Sequence, residues 1–293
     1  MAVEGRYNFP APAKLNRFLH VLGQREDGYH ELQSVFQLIG LEDSVGLQVD
    51  SQSPKISLQE PEGLTCGVEN LAYRAARALQ EFRGCSLGAR IQLHKHIPVG
   101  AGLGGGSSDA ATVLVGLNQL WQLDCDEQEL LQLGQQLGSD VPFFIHGKNA
   151  WVTGTGNELV DMKLPETWFL LVYPGVELST GQVFQHADLT RDTPAVTIAR
   201  FSESTEGLDS LNNDLERVVF SLFPEVQSAK NWLSQWGTAK MSGSGSCLFL
   251  DVGSEQNGQT LLRQVPENWT GYLIPSLSSS SLHGELQNYR VQT

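Results

Sequence analysis

The strongest constraint on this chain is a glycine-rich loop between a predicted strand and a predicted helix. Five glycines fall within seven residues, from Gly100 to Gly106. Apolar residues alternate with polar ones over 89–94 before the loop, and apolar residues from Ala110 to Trp121 recur at helical spacing after it. Glycine adopts positive φ without strain, and the first amide groups of a helix attract anions. The loop therefore predicts a phosphate cradle.

The cradle includes the whole loop and the first turn of the helix that follows it. The hydroxyl groups of its two serines would add hydrogen-bond donors, and the second serine would offer a contact to a metal ion. The residues predicted to form the cradle are Pro98, Gly100, Ala101, Gly102, Leu103, Gly104, Gly105, Gly106, Ser107 and Ser108.

Three other interpretations of the loop compete with this one. Gly100, Gly102 and Gly105 match the G-x-G-x-x-G pattern of dinucleotide folds, but that fold also needs an acidic residue at the end of a second strand. Asp124 has a suitable spacing but lies between two predicted helices. No Gly-Lys-Ser/Thr occurs, which excludes a P-loop. A flexible surface loop remains the alternative, although such loops do not usually join a strand to a capped helix.

A second glycine-rich segment runs from Met241 to Cys247 and precedes a predicted buried strand. Taken alone, this segment is more typical of a turn than of a binding site. It gains weight as part of a site only together with the first glycine loop.

Other segments show the local signals of helices and strands. Segment 13–22 and Trp168–Tyr173 are predicted strands, and Asn70 is the predicted cap of a helix. Asp126 begins another helix, with an acidic relative of the capping box. Residues 186–212 are polar and aperiodic, which is typical of a long excursion or a link between two parts of a protein.

Strands and helices follow one another without the regular alternation of a parallel α/β sheet. This order predicts an α+β fold in two parts that meet near residues 156–165. We therefore predict an N-terminal domain over residues 1–160, which contains the cradle, and a C-terminal domain over residues 161–293.

Charge and cysteine content exclude several kinds of partner and site. The chain has 19 basic and 33 acidic residues, a net charge of −14, so it should repel nucleic acid and anionic lipid. Widely spaced cysteines predict neither a zinc site nor a disulfide framework. No apolar run is long enough for a signal peptide or a membrane helix, which predicts a soluble, cytoplasmic protein. The cysteines are Cys66, Cys85, Cys125 and Cys247.

The two glycine segments, with the Pro-Ala-Lys-Leu-Asn segment that holds Lys14 and Asn16, resemble the galactokinase–homoserine kinase–mevalonate kinase–phosphomevalonate kinase (GHMP) superfamily. Segments 23–30, 137–142 and 174–180 are similar to one branch of it. That branch phosphorylates the 2-hydroxyl of a methylerythritol that carries a cytidine diphosphate group, in the non-mevalonate route to isoprenoid precursors.

The resemblance extends from Pro12 to about Val252 and implies a fold, a reaction and cofactors. The N-terminal domain would resemble domain 2 of ribosomal protein S5, and the C-terminal domain would be ferredoxin-like. ATP would donate its γ-phosphoryl group, with Mg²⁺ bound mainly through phosphate oxygens and water. The partner would be a small molecule with a cytidine diphosphate group. A sibling kinase for mevalonate, homoserine or a sugar, and a non-catalytic nucleotide-binding module, are the competing hypotheses.

The resemblance also implies roles for residues at the phosphate end of the site. Asp140 would be the general base, and Lys14 would hold the substrate hydroxyl and the γ-phosphate. Asn16 would bind substrate, while Lys95 and Asn70 would lie near the adenosine. A carboxylate beside a lysine suits this chemistry, because the lysine keeps the carboxylate ionised and stabilises the developing alkoxide. Without the resemblance, Asp140 would be interpreted as a helix cap.

Four further residues are implied to bind the rest of the substrate. Tyr29 and His30 would recognise the cytosine ring. Phe184 would stack on that ring from the opposite side, and Thr180 would lie on the methylerythritol side. Stacking an aromatic side chain on a base contributes about 1–3 kcal/mol. The competing interpretations are an ordinary surface or core position for His30 and a core position for Phe184.

Overall fold

The computed structural model describes residues 5–61, 67–198 and 207–292, with side chains as far as residue 286, and Cys66 lies outside these ranges. Within them the chain forms ten strands and nine α-helices. The strands are Arg6–Gln24 (β1), His30–Asp50 (β2), Ile56–Gln59 (β3), Gly88–His94 (β4), Ala150–Thr153 (β5), Glu158–Asp161 (β6), Trp168–Tyr173 (β7), Lys240–Met241 (β8), Leu248–Asp251 (β9) and Thr270–Pro275 (β10). The helices are Leu71–Arg83 (α1), Gly105–Leu120 (α2), Glu127–Leu137 (α3), Val141–His146 (α4), Thr180–Phe184 (α5), Glu216–Leu222 (α6), Pro224–Leu233 (α7), Glu255–Leu262 (α8) and Ser281–Gln292 (α9).

The strands form two sheets. In the six-stranded sheet the order is β3-β4-β2-β5-β6, and β1 pairs with β2 in antiparallel fashion along almost the whole of both strands. Only β3 and β4 run parallel within the described part of this sheet. The four-stranded sheet is antiparallel, with the order β10-β7-β9-β8. Two such sheets with helices packed on them confirm the predicted α+β class.

Helices α1 to α4 pack on the first sheet and form the larger hydrophobic core with it. Leu282 and Leu286 of α9 belong to the same core, so the last helix returns to the first sheet. Helices α6 and α7 pack on β7 and β9 in a second core. The predicted domain boundary between residues 160 and 161 remains a prediction, and it falls at the end of β6, before the second sheet begins at Trp168.

Strand β1 belongs to the first sheet, and its two faces have different surroundings. Ala13 and Leu15 are buried with Phe169 of β7, in a core cluster shared with the second sheet. Because successive side chains of a strand point to opposite faces, Lys14 and Asn16 project from the other face. They therefore reach a cavity that is lined by the glycine loop, by strands of the first sheet and by the segment between β8 and β9.

The local helix signals are confirmed. The Asn70 side chain accepts a hydrogen bond of 2.9 Å from the amide of Ala72 at the start of α1. Asp126 and Glu129 form a reciprocal capping box at the start of α3. The described part of segment 186–212 contains no α-helix or strand. No helix in the described ranges is long and apolar enough to cross a membrane.

Candidate active site

A cavity of about 460 Å³ brings most of the predicted site residues together. Its wall includes both glycine-rich segments and the turn between β5 and β6. Three predicted residues, Tyr29, His30 and Ser108, are not on this wall. The predicted residues that do line the cavity are Lys14, Asn16, Asn70, Lys95, Pro98, Gly100, Ala101, Gly102, Leu103, Gly104, Gly105, Gly106, Ser107, Asp140, Thr180 and Phe184.

The two glycine segments are interlocked. Gly102 has a φ of 74°, and a Cβ there would collide with the carbonyl of Ser242. The Ser242 hydroxyl donates to the Gly102 carbonyl at 3.0 Å, and the Cys247 amide donates to the Ala101 carbonyl at 3.1 Å. The second segment is therefore more than a turn, because it holds the first loop in place from the C-terminal half of the chain.

The first residues of α2 line the cavity and carry amide groups that have no acceptor within the helix. Gly104 precedes the helix with a φ of 75° and supplies no side-chain cap, so the first amides after it have no partner within the helix. Gly105, Gly106 and Ser107 carry these amides, and amides at a helix N-terminus suit an anion, so the predicted role of these residues in the cradle stays a prediction. The structure does not bring Ser108 to the cavity, because its side chain is fully buried and its amide donates to the Gly104 carbonyl at 2.9 Å.

Lys14 and Asp140 form an ion pair beside this loop. The Lys14 Nζ lies 3.3 Å from the Asp140 Oδ2 and 4.3 Å from the centre of the Phe36 ring. Asp140 occupies the cap position of α4, but its side chain makes no capping hydrogen bond. The competing interpretation of Asp140 as a helix cap therefore does not describe what its carboxylate does. The amide of Lys14 donates to the Leu103 carbonyl at 3.0 Å, which ties this pair to the glycine loop.

A one-way chain of hydrogen bonds orients Lys14. The Ser34 hydroxyl donates to the Phe18 carbonyl, which can only accept. Ser34 must then accept from the Asn16 Nδ2, at 3.0 Å, and this leaves the Asn16 Oδ1 to accept from the Lys14 Nζ at 2.5 Å. Ser34 and Phe36 line the cavity as well, and the sequence contained no signal that identified either of them.

Lys95 lies in a different electrostatic setting. Its ammonium donates to the carboxylates of Asp43 and Asp109, the latter at 2.6 Å, and both carboxylates are buried. Burial raises the pKa of Asp109 to about 7, against the opposing charge of Lys95. Burial works to lower the pKa of Lys95, but Asp109 and Asp43 outweigh it, so that pKa is raised. Two carboxylates compete for one ammonium, and neither was predicted from the sequence, although Asp109 closes the glycine-rich motif.

Two of the three predicted base-binding residues, Tyr29 and His30, lie beyond the cavity wall. Tyr29 is 64% exposed in the turn between β1 and β2. His30 is buried, and its ring centre lies 5.2 Å from that of Phe184, which does line the cavity. Burial, and then the charge of Arg191, lower the pKa of His30. The structure therefore brings His30 and Phe184 together from distant parts of the chain.

Two further cavity residues have structural partners. Thr180 begins α5, and its hydroxyl lies 2.8 Å from that of Ser244 in the second glycine segment. Asn70 caps α1 with its Oδ1 and donates from its Nδ2 to Glu60 at 2.8 Å. Both side chains are thus held in place at the wall, Thr180 on the side of Phe184 and Asn70 at the start of a helix.

Comparisons with known proteins place the chain in a family. The family models "GHMP kinases N terminal domain" and "GHMP kinases C terminal" match residues 70–148 and 200–271. A 4-diphosphocytidyl-2-C-methyl-D-erythritol kinase of Herminiimonas arsenicoxydans is 46% identical over 278 residues, covering 94% of this chain and 96% of the relative. An enzyme of the same name from Neisseria gonorrhoeae is 44% identical and covers 95% and 98% of the two chains.

Solved structures agree with this placement. A crystal structure of 4-(cytidine 5'-diphospho)-2C-methyl-D-erythritol kinase superimposes with a TM-score of 0.78 at 34% identity, covering 92% of this chain and 99% of that one. Homoserine kinase from Cytophaga hutchinsonii superimposes with a TM-score of 0.69 at 16% identity, covering 96% and 97%, and shows the fold alone. The predicted two-part architecture is thereby confirmed. The chain belongs to the GHMP kinase family and, within it, to the group of the 4-diphosphocytidyl-2-C-methyl-D-erythritol kinases.

Proposed function

We propose that this chain transfers the γ-phosphoryl group of ATP to the 2-hydroxyl of 4-diphosphocytidyl-2-C-methyl-D-erythritol, releasing ADP, as a step of isoprenoid precursor synthesis. One observation carries the proposal: the Lys14–Asp140 pair, 3.3 Å apart, lies directly against the glycine loop. A Cβ at Gly104 would lie 3.2 Å from the Lys14 Cε, so the lysine stem touches the loop. A phosphate held by the amides after Gly104 is then within reach of the lysine.

The proposed reaction needs few chemical groups from the protein. Phosphoryl transfer depends mainly on positioning and on neutralising charge. The oxygen of the substrate hydroxyl would bond to the γ-phosphorus, and Asp140 would accept the proton that this hydroxyl loses. At the same time the bond between the γ-phosphorus and the β-phosphate oxygen would break. Lys14 would stabilise the negative charge on the attacking oxygen and on the γ-phosphoryl group. The partial exposure of Asp140, 27% of its side chain, leaves it accessible to a bound alcohol.

Mg²⁺ belongs to this proposal as the ion that neutralises the triphosphate. Within the described ranges no group of three or more His, Cys, Asp or Glu could hold a metal ion. Mg²⁺ in nucleotide sites usually keeps several waters and binds through substrate phosphates with one or two protein oxygens. The Ser107 hydroxyl and the Asp140 carboxylate are oxygen donors of this kind on the cavity wall.

The identity of the substrate is proposed from the end of the site that holds His30 and Phe184. His30 and Phe184 form an aromatic pair there, with the exposed Tyr29 beside it in sequence. An exposed ring next to a buried pair suits a base that stacks on aromatic faces. We propose that Tyr29, His30 and Phe184 bind the cytosine and that Thr180 and Asn16 bind the methylerythritol part.

An ADP-release assay with a panel of alcohols tests the function. Purified protein with ATP and Mg²⁺ should release ADP with 4-diphosphocytidyl-2-C-methyl-D-erythritol and not with mevalonate, homoserine or galactose. Phosphorus NMR of the product should place the new phosphate on the 2-hydroxyl. Turnover of mevalonate, homoserine or galactose in place of the cytidyl compound would favour a sibling kinase, and ATP binding without any ADP release would favour a binding module.

A further inference from the structure

Arg191 has its guanidinium enclosed by acceptors from the base-binding end of the site. Its Nε donates to the His30 Nε2 at 3.0 Å. Its Nη2 donates to the carbonyls of Phe184 and His186, both at 2.9 Å, and its Nη1 donates to the Leu189 carbonyl at 3.1 Å. One side chain therefore holds β2 and the segment after α5 in fixed positions.

The contact with Arg191 determines where His30 carries its proton. An arginine side chain has donors only, so the His30 Nε2 must accept, and the neutral ring then carries its hydrogen on Nδ1. Burial and the adjacent positive charge both oppose protonation of His30. Within the described ranges no residue hydrogen-bonds the His30 Nδ1. The ring therefore has one N–H group to offer to a ligand.

The same guanidinium also holds the second aromatic residue. Phe184 is the last residue of α5, and its carbonyl is bound by Arg191 while its ring faces the cavity. The rings of His30 and Phe184 lie 5.2 Å apart at an angle of 38°. Loss of Arg191 would release both rings together, although they lie more than a hundred positions apart in the sequence.

We propose that Arg191 is a specificity-determining positioning residue, which keeps His30 as an N–H donor and thereby selects cytosine over uracil. The inference rests on the proposed function. Cytosine presents an acceptor at N3, whereas uracil carries a hydrogen there. The His30 N–H can donate to the N3 of cytosine, but it would face the N3–H donor of uracil. A polar mismatch in a desolvated site is costly, because it leaves donors without acceptors.

Histidine NMR tests the proton position without any substrate. In protein labelled with ¹⁵N-histidine, the His30 signals, assigned with His30→Asn, should show a neutral ring protonated on Nδ1 in the wild type. Arg191→Lys keeps a donor and should keep this tautomer, whereas Arg191→Met should allow the Nε2-protonated form to appear. A wild-type His30 protonated on Nε2, or an unchanged tautomer in Arg191→Met, would overturn the proposal whatever the protein phosphorylates.

Kinetics test the selectivity. Arg191→Met should raise the KM for the cytidyl substrate about tenfold or more and reduce its preference over the uridyl analogue, with the KM for ATP unchanged. Arg191→Lys should keep more of the preference than Arg191→Met. Arg217→Met, at an exposed position of α6, is the matched control and should change none of these values. An unchanged preference in Arg191→Met, in protein that melts as the wild type does, contradicts the proposal.

Discussion

Two lysines line the same cavity in opposite electrostatic surroundings. Lys14 faces one carboxylate, that of Asp140, whose side chain is 27% exposed. Lys95 lies between the carboxylates of Asp43 and Asp109, which are almost completely buried. The first group is neutral, while the second carries one excess negative charge when all three members are ionised.

This difference shows that a lysine on the wall of a nucleotide site need not bind phosphate, because its other partners also matter. The charge of Lys95 is already balanced by protein carboxylates, so a phosphate there would meet repulsion. Lys14 has a single carboxylate partner, which is partly exposed, and its charge can act on a phosphate. We therefore expect the γ-phosphate at the Lys14 end and the uncharged part of the nucleotide at the Lys95 end.

The largest expected effect belongs to the Lys14 end. Asp140→Asn keeps the size of the side chain but removes the proton acceptor, so turnover should fall by about 10²–10⁴-fold. ATP binding should persist, because the loop amides are unchanged. ADP release measures the turnover, and calorimetry measures the ATP affinity. Asp50→Asn, at the last residue of β2, is the matched control. Full activity in Asp140→Asn would show that Asp140 is not the base.

Replacing each lysine by methionine should separate stability from activity. Lys95→Met leaves two buried carboxylates without a cation, which should lower the free energy of unfolding by about 3–5 kcal/mol. Lys14→Met leaves a carboxylate that water can reach, so stability should fall less while turnover is lost. Urea unfolding and ADP release measure the two quantities. Equal losses of stability in both variants would show that the two surroundings do not differ as we describe.

The excess charge at the Lys95 end should appear in the pH dependence of stability. Burial raises the pKa of Asp109 from 3.8 to about 7, so the folded protein binds more protons than the unfolded chain between those values. Stability should therefore fall as pH rises through this window. Asp109→Asn removes this titration. The free energy of unfolding of the wild type, relative to that of the variant, should therefore fall by up to about 4 kcal/mol between pH 4 and pH 7. A difference in unfolding free energy that stays constant across this range would contradict the assignment.

The smallest expected effect concerns the orientation of Lys14. Ser34→Ala removes the acceptor that fixes the Asn16 amide, so turnover should fall about tenfold. In an Asn16→Ala background the same change should have little further effect, because Ser34 acts through Asn16. The four proteins of this cycle are compared by ADP release. Additive losses would mean that Ser34 acts by another route.

Short-range signals predicted much of the fold. Asn70 and the Asp126–Glu129 pair act on amides within four positions, and both form the predicted caps. The glycine loop likewise predicted the start of α2, because a run of glycines and a following apolar stripe are local properties. Strands β5 and β6 and helices α4, α5 and α9 had no equally clear pattern, since they are short or, in α9, weakly amphipathic.

The family resemblance supplied the main site residues, but not the contacts that orient them. Asn16 and Ser34 are 18 positions apart, Lys95 and Asp43 are 52 apart, and Arg191 and His30 are 161 apart. No periodicity relates such pairs, because each arises where strands and loops are brought together by packing. Their importance comes from burial, which strengthens electrostatic interactions and penalises an unpaired polar group.

The amino-acid sequence by itself determined the glycine loop, the helix that follows it, the helix caps and the positions of Lys14 and Asp140 along the chain. These depend on backbone freedom and on contacts within a few residues. Only the tertiary structure decided that Lys14 has one exposed carboxylate partner while Lys95 has two buried ones. Charge balance and desolvation depend on which distant side chains share a volume, and that volume exists only after strands, helices and loops that are far apart in the sequence have packed together.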